Sequence, residues 1–214
     1  MKIIPLGLQC SIPEAIKQLN IREYSYPLDW IWSPSQTTYN ILQILLNNGI
    51  DECINYMTTG FTYYKYMNNE HYISINEVSN CQMNKNTGLG ITHFTINDDY
   101  KITLKKRLTR LLVDIKSLED VIFIYADAAN PYLNYHLDEI EYGKDATEYL
   151  LKIHDLIYPI NKNIQIIYFC WNERLSENNI IKYIPFDYKN NWFEVTTIIK
   201  KYLLDFILKY ITIE

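Results

Sequence analysis

Cys10 is the residue best placed for covalent chemistry, and its neighbours say what kind. It follows a short apolar run, Ile3 to Leu8, which Gly7 breaks; this reads as a strand entering a tight turn. Ser11 is the expected N-cap of the next helix, with Pro13 and Glu14 in its first turn and Ile12, Ala15, Ile16 and Leu19 behind them. A thiol at that junction meets backbone N–H groups and the positive end of the helix dipole. Both favour an anion, so the thiol pKa should fall and a nucleophilic thiolate become more available. The competing reading is packing, because unpaired cysteine is among the most buried residue types.

The other thiols, Cys53, Cys81 and Cys170, are scattered, with no C-x-x-C and no histidine at metal spacing. Neither a structural metal nor a disulfide framework is expected, and no cofactor; the thiols read as reduced. With 214 residues the chain can bury a core without staples, and a net charge of −5 argues against a nucleic-acid partner. Twenty tyrosines beside only six glycines suggest an AT-rich coding genome, such as that of a large DNA virus. Pro5 and Gln9 spoil an h-region, so no signal peptide is expected, and there is no N-x-[ST] sequon. The longest apolar stretch, Val195 to Ile211, carries Lys200, Lys201, Asp205 and Lys209 and reads as an amphipathic helix rather than a membrane span. A cytoplasmic setting is expected (the host cytoplasm if the source is viral), with no membrane partner.

The elements that must position these residues follow from periodicity. Thr37 to Asn48 is helical and stops at Asn48-Gly49. Phe61 to Tyr66 and His71 to Ile75 read as an antiparallel hairpin, part of an insertion at about 57–90 in an otherwise single α/β domain spanning 1–214. Asp98 or Asp99 should cap a helix from Tyr100 to Lys116, with Leu104, Leu108, Leu111, Leu112 and Ile115 buried. Lys101, Lys105, Arg107, Arg110 and Asp114 fall away from that stripe, as on a solvated face. Asp120 to Ala126 and Ile164 to Cys170 are continuous apolar runs flanking a helix over Thr147 to Tyr158, which is a βαβ unit with parallel strands. Trp192 to Val195 reads as a further short strand before the C-terminal helix. The fold class is three-layer α/β with a mainly parallel sheet and an inserted antiparallel hairpin. Ligands in such sheets bind beyond the carboxyl ends of the strands, at the switch in strand order. Cys10, Asp127 and Cys170 to Asn172 would meet at that rim.

Leu6-Gly-Leu-Gln-Cys10, then Leu19, Arg22, Ser25-Tyr-Pro-Leu-Asp-Trp30 and Ser33, resemble the opening motif of a family labelled putative papain-like cysteine peptidases. Its usual pattern is Leu-Gly-x-x-Cys, an Arg, then Ser-Tyr-Pro-Phe-Asp-Trp; Leu28 replaces the Phe here. The family's later His-Asp-Phe is matched by Thr92-His93-Phe94, without the Asp, followed by Arg107 and Arg110. The resemblance implies a thiol hydrolase, peptidase-like or acting on another acyl group, with a protein or small-molecule substrate. In it, Cys10 is the nucleophile, His93 the base and Asp29 the orienting carboxylate, with Asp127 and Asn97 as alternatives for the last role. Backbone N–H groups at Cys10 and Ser11 could form part of an oxyanion hole, and Trp30 and Trp32 would line the cleft. Arg107 or Arg110 would hold a carboxylate, internal or on an acidic ligand. Papain-like peptidases pack the Cys helix on an antiparallel sheet or barrel, so for the fold the strand pattern takes precedence. The alternative function is a non-catalytic glycan- or protein-binding α/β domain, in which Cys10 is enclosed by apolar side chains and the tyrosines form the surface.

Overall fold

The computed structural model describes residues 1–7, 10–21, 24–63, 82–84, 86–91, 95–127, 145–176, 178–187 and 189–211. Lys2–Pro5 (β1) and Ser11–Gln18 (α1) open the chain, followed by Ile31–Trp32 (β2), Ser35–Asn47 (α2) and Ile50–Thr58 (α3). Thr62–Tyr63 (β3), Gln82–Met83 (β4) and Gly90–Ile91 (β5) are two-residue strands ahead of the long helix Asp98–Lys116 (α4). Val121–Ala126 (β6), Thr147–Ile157 (α5), Ile164–Trp171 (β7), Ile181–Phe186 (β8) and Trp192–Ile211 (α6) complete it.

The main sheet runs β1-β6-β7-β8, and every pairing in it is parallel. Each residue of β6 is buried, which is why its sequence is an unbroken apolar run. Successive side chains still go to opposite faces, and the two faces carry separate cores. Phe123, Tyr125, Ile166, Tyr168 and Cys170 join the core that holds Ile41, Leu42, Leu104, Leu108, Leu150 and Ile153, from α2, α4 and α5. Ile122, Ile124, Ala126, Ile167 and Phe169 pack on the other side against Ile12, Ala15 and Ile16 of α1 and Val195, Ile199 and Leu203 of α6. The architecture is therefore three layers with a parallel sheet in the middle, as the periodicity indicates.

The second sheet, β2-β5-β4-β3, is antiparallel and small. Thr62–Tyr63 pairs with Gln82–Met83; the expected partner strand, His71 to Ile75, lies outside the described residues. Ile31, Leu89 and Ile91 anchor this sheet to the larger core.

Four local expectations are corrected. Trp192 to Val195 is the first turn of α6, not a strand. Asn191 Oδ1 accepts from the amides of Phe193 (2.9 Å) and Glu194 (3.1 Å), while Glu194 Oε2 accepts from the Asn191 amide (2.7 Å). That reciprocal capping box outweighs the β propensity of the aromatic run. The fourth strand is instead Ile181–Phe186, where Pro185 disguises the pattern; proline is tolerated there because β8 is an edge strand. Helix α4 is capped by Asn97, whose Oδ1 accepts from the Tyr100 amide at 2.8 Å, so Asp98 and Asp99 belong to its first turn. In α1, Cys10 and not Ser11 is the N-cap, and it makes no side-chain capping hydrogen bond.

Candidate active site

The strand order contains no reversal, contrary to expectation. The chain leaving β1 enters α1 on one face, while the chain leaving β6 returns through α5 on the other. Cys10 lies just past the end of β1, and Asp127 directly follows β6.

The turn out of β1 is built by small residues. Gly7 has φ +97, and a Cβ there would stand 2.8 Å from Ser33 Cβ, so both backbone conformation and space require glycine. The Leu6 carbonyl accepts from Thr38 Oγ1 at 2.8 Å, and Thr38 Oγ1 lies 2.8 Å from Ser33 Oγ. Tyr125 donates to the Ser33 carbonyl at 3.4 Å. Ser33 and Thr38 are both fully buried.

Cys10 is partly exposed, whereas Cys53 and Cys170 are buried. Burial nevertheless pushes the Cys10 thiol up to about 12, which opposes the lowering expected from the helix terminus. The cause is the loss of water around a buried thiolate. His93 lies outside the described residues, as does Thr92-His93-Phe94 as a whole.

Asp29 is 1% exposed and belongs to a tight corner. Its Oδ2 accepts from the Tyr26 amide at 3.0 Å, and its own amide donates to the Tyr26 carbonyl at 3.3 Å. Pro27 occupies the second position of that turn, where its fixed φ fits. Asp29 shares a cavity of about 10 Å³ with Ile3, Pro5, Pro13, Ile16, Tyr24 and Tyr26, room for one water at most. The motif run and the first turns of α1 are thus brought together around the end of β1. Trp30 follows at φ +65, a left-handed backbone unusual for a bulky residue, and is half-buried. Trp32 packs against the larger core.

The polar side of α4 is in part a docking face and in part solvated, as expected. Arg110 donates to the Ser25 carbonyl at 3.1 Å and its guanidinium lies 4.8 Å from the Tyr24 ring centroid. Tyr26 donates to Asp114 Oδ2 at 2.7 Å. Arg107 is half-buried near Tyr100, whose hydroxyl pKa its charge lowers against the larger effect of burial. Lys101, Lys105 and Lys106 do stay exposed.

Asp127 is fully buried and, among the described residues, accepts from Tyr168 Oη (2.7 Å), the Trp171 amide (2.9 Å) and Arg174 Nη1 (2.7 Å). The guanidinium also stacks on Trp171 at 3.9 Å. Burial raises the Asp127 carboxyl to about 6, against the pull of Arg174 and its donors. Tyr168 accepts in turn from the Ala146 amide at 3.2 Å, tying the start of α5 to the same cluster. Arg174, Tyr168, Thr38 and the packing role of Gly7 are not singled out by sequence reasoning. The available signal was an aspartate closing one apolar strand and an arginine three residues beyond the end of the next, which parallel pairing brings to one edge.

Among the described residues no cluster of His, Cys, Asp or Glu could hold a metal ion, and no helix is long and apolar enough to cross a membrane. No curated protein and no solved structure matches the chain. Residues 1–163, a span that carries Cys10, the Gly7 turn and the Asp29 corner, match the model of a family described as "Putative papain-like cysteine peptidase (DUF1796)", and the chain belongs to that family.

Proposed function

We propose that the protein is a cysteine-dependent hydrolase of peptide or other acyl substrates, with Cys10 as nucleophile and His93 as base. The observation that carries this reading is the placement of Cys10: a cysteine less buried than Cys53 and Cys170, at the N-cap of α1, beyond the carboxyl end of β1. That lesser burial of the residue favours this reading over the binding-domain one. Membership of a family with a peptidase label points the same way.

The raised thiol pKa sets the form of the chemistry. Cys10 is protonated at neutral pH, so the base takes the S–H proton as the C–S bond forms, instead of acting on a standing thiolate. The proton then passes from the imidazole to the leaving group, and water releases the acyl group from sulfur. Amide N–H groups of Cys10 and Ser11, at the start of α1, are proposed to face the developing oxyanion. Asp29 is the proposed orienting carboxylate, since its corner is joined to the first turns of α1 by the shared cavity. Trp30 and Trp32 are proposed to line the cleft, with Arg107, Arg110 and Asp127 supporting its walls.

The test is Cys10 modification in a Cys53→Ser, Cys81→Ser, Cys170→Ser background. Acylation by p-nitrophenyl acetate should proceed in the folded protein and fall in His93→Ala. A Cys10 that reacts only after unfolding would overturn the hydrolase and leave a packed thiol.

A further inference from the structure

The hydroxyl pair Ser33–Thr38 is buried in mostly apolar surroundings, where it serves the Leu6 carbonyl. Around it, Leu6, Leu42, Ile31 and Tyr125 form apolar core, and valine and alanine would fill the same volumes. Instead, two fully buried hydroxyls lie 2.8 Å apart, and one of them donates to the Leu6 carbonyl. Tyr125 reaches in from β6 to the Ser33 carbonyl. The contacts converge on one stretch of chain. Leu6 still hydrogen-bonds the neighbouring strand, through its amide to the Ile124 carbonyl at 2.8 Å. Gly7 then turns in a left-handed conformation against Ser33, and the chain reaches Cys10 three residues later.

We infer that Thr38, backed by Ser33, is a positioning residue for Cys10: the hydroxyl pair fixes the Leu6 carbonyl and the Gly7 turn, and through them where Cys10 stands at the start of α1. This rests on the hydrolase reading and extends it to residues that touch no reacting atom. A buried hydroxyl network of this kind is directional, where an apolar contact is not. The Leu6 carbonyl can point only where Thr38 Oγ1 can reach it. The position of the thiol relative to its base and to the α1 amides depends on that direction, and oriented attack is sensitive to displacements well below the size of an atom.

Two rates separate positioning from simple stability, both measured in the background that keeps Cys10 alone. Alkylation by iodoacetamide reports how readily the thiol ionises and is reached. Acylation by p-nitrophenyl acetate also requires the base and the oxyanion donors to be aligned. In Thr38→Val, with circular dichroism showing a folded protein, acylation should fall about tenfold or more while alkylation stays within about twofold. Thr38→Ser keeps the hydroxyl and should restore acylation; Ser33→Ala should give a smaller fall. A folded Thr38→Val acylated as fast as its parent overturns the positioning role and leaves the hydrolase intact. Equal loss of both rates, unrescued by Thr38→Ser, also overturns it and leaves a structural hydroxyl. If the parent protein itself is not acylated at Cys10, the hydrolase reading fails, and the positioning role with it.

Discussion

Arg174 closes on Asp127 at 2.7 Å with its side chain 9% exposed, and this pair is what holds the unusually short passage from β7 to β8. Parallel neighbours normally need a connection of a dozen or more residues, usually with a helix. Here residues 172–180 suffice, with a single 3-10 turn at Asn172–Arg174. The aspartate at the end of β6 reaches across to the Trp171 amide and the Arg174 guanidinium, and so pins the start of that crossover to the sheet.

The pair gives stability a definite pH dependence. Burial raises the folded Asp127 carboxyl to about 6, above its ordinary range. A group with a raised folded pKa binds its proton more tightly when folded, so its contribution is fully present below the unfolded pKa and is lost as pH rises through about 6. Urea midpoints should therefore decline between pH 4 and pH 7 on account of this group, and Asp127→Asn should flatten that decline. Arg174→Met strands the carboxylate and should cost about 3 kcal/mol at pH 8, less at pH 5 where the carboxyl is neutral. A variant equally destabilised at both pH values would contradict the ion pair.

Gly7→Ala meets two obstacles at once, the left-handed backbone and the Ser33 Cβ at 2.8 Å. Together they should destabilise by about 2–4 kcal/mol, the backbone accounting for about 1–2 of that. Adding Ser33→Gly removes the collision but not the strain, so it should recover only part of the loss. A double-mutant cycle of denaturation midpoints measures the recovery; complete rescue would show that φ at this position is not fixed.

Cys10 alkylation should still be climbing between pH 8 and pH 10, because burial pushes the thiol up to about 12. Log rate against pH is the measurement, taken with and without His93→Ala. A plateau below pH 8 that disappears in His93→Ala would mean a standing thiolate–imidazolium pair in place of the proton transfer proposed above.

Trp30 and Trp32 should behave differently despite their proximity. Trp30 sits in the left-handed position of a turn whose Ile31 amide donates to the Leu28 carbonyl at 3.4 Å, where glycine or asparagine is usual. Trp30→Gly relieves about 1 kcal/mol of strain and forfeits contact of a half-buried ring, so its net effect on the melting midpoint should be small. Acylation of Cys10 should fall nonetheless if the indole lines the cleft. Trp32 lies against Gly90, where a Cβ would come within 3.0 Å of its ring, and Trp32→Ala should cost about 3 kcal/mol. A Trp30→Gly loss as large as that of Trp32→Ala would place both rings in the core.

The sequence by itself determined the framework: which runs are strands of a doubly covered parallel sheet, which faces of α2, α4 and α5 are buried, and that Cys10 stands between the first strand and the first helix. These are set by short-range periodicity and by the opposed cores on the two faces of β6 and β7. It failed locally where one signal masked another, as when aromatic β propensity at Trp192 and Phe193 hid the Asn191–Glu194 capping box, and Pro185 hid an edge strand. What only the tertiary structure decided is which residues meet. Thr38 lies 32 positions from Leu6, and Arg174 lies 47 from Asp127. No periodicity links such pairs; the parallel pairing of β6 with β7 brings Asp127 and Arg174 to one edge, and the packing of α2 on the sheet brings Thr38 to Leu6. The raised pKa of Cys10 belongs there too, since a helix terminus is visible in sequence but the burial of the thiol is not.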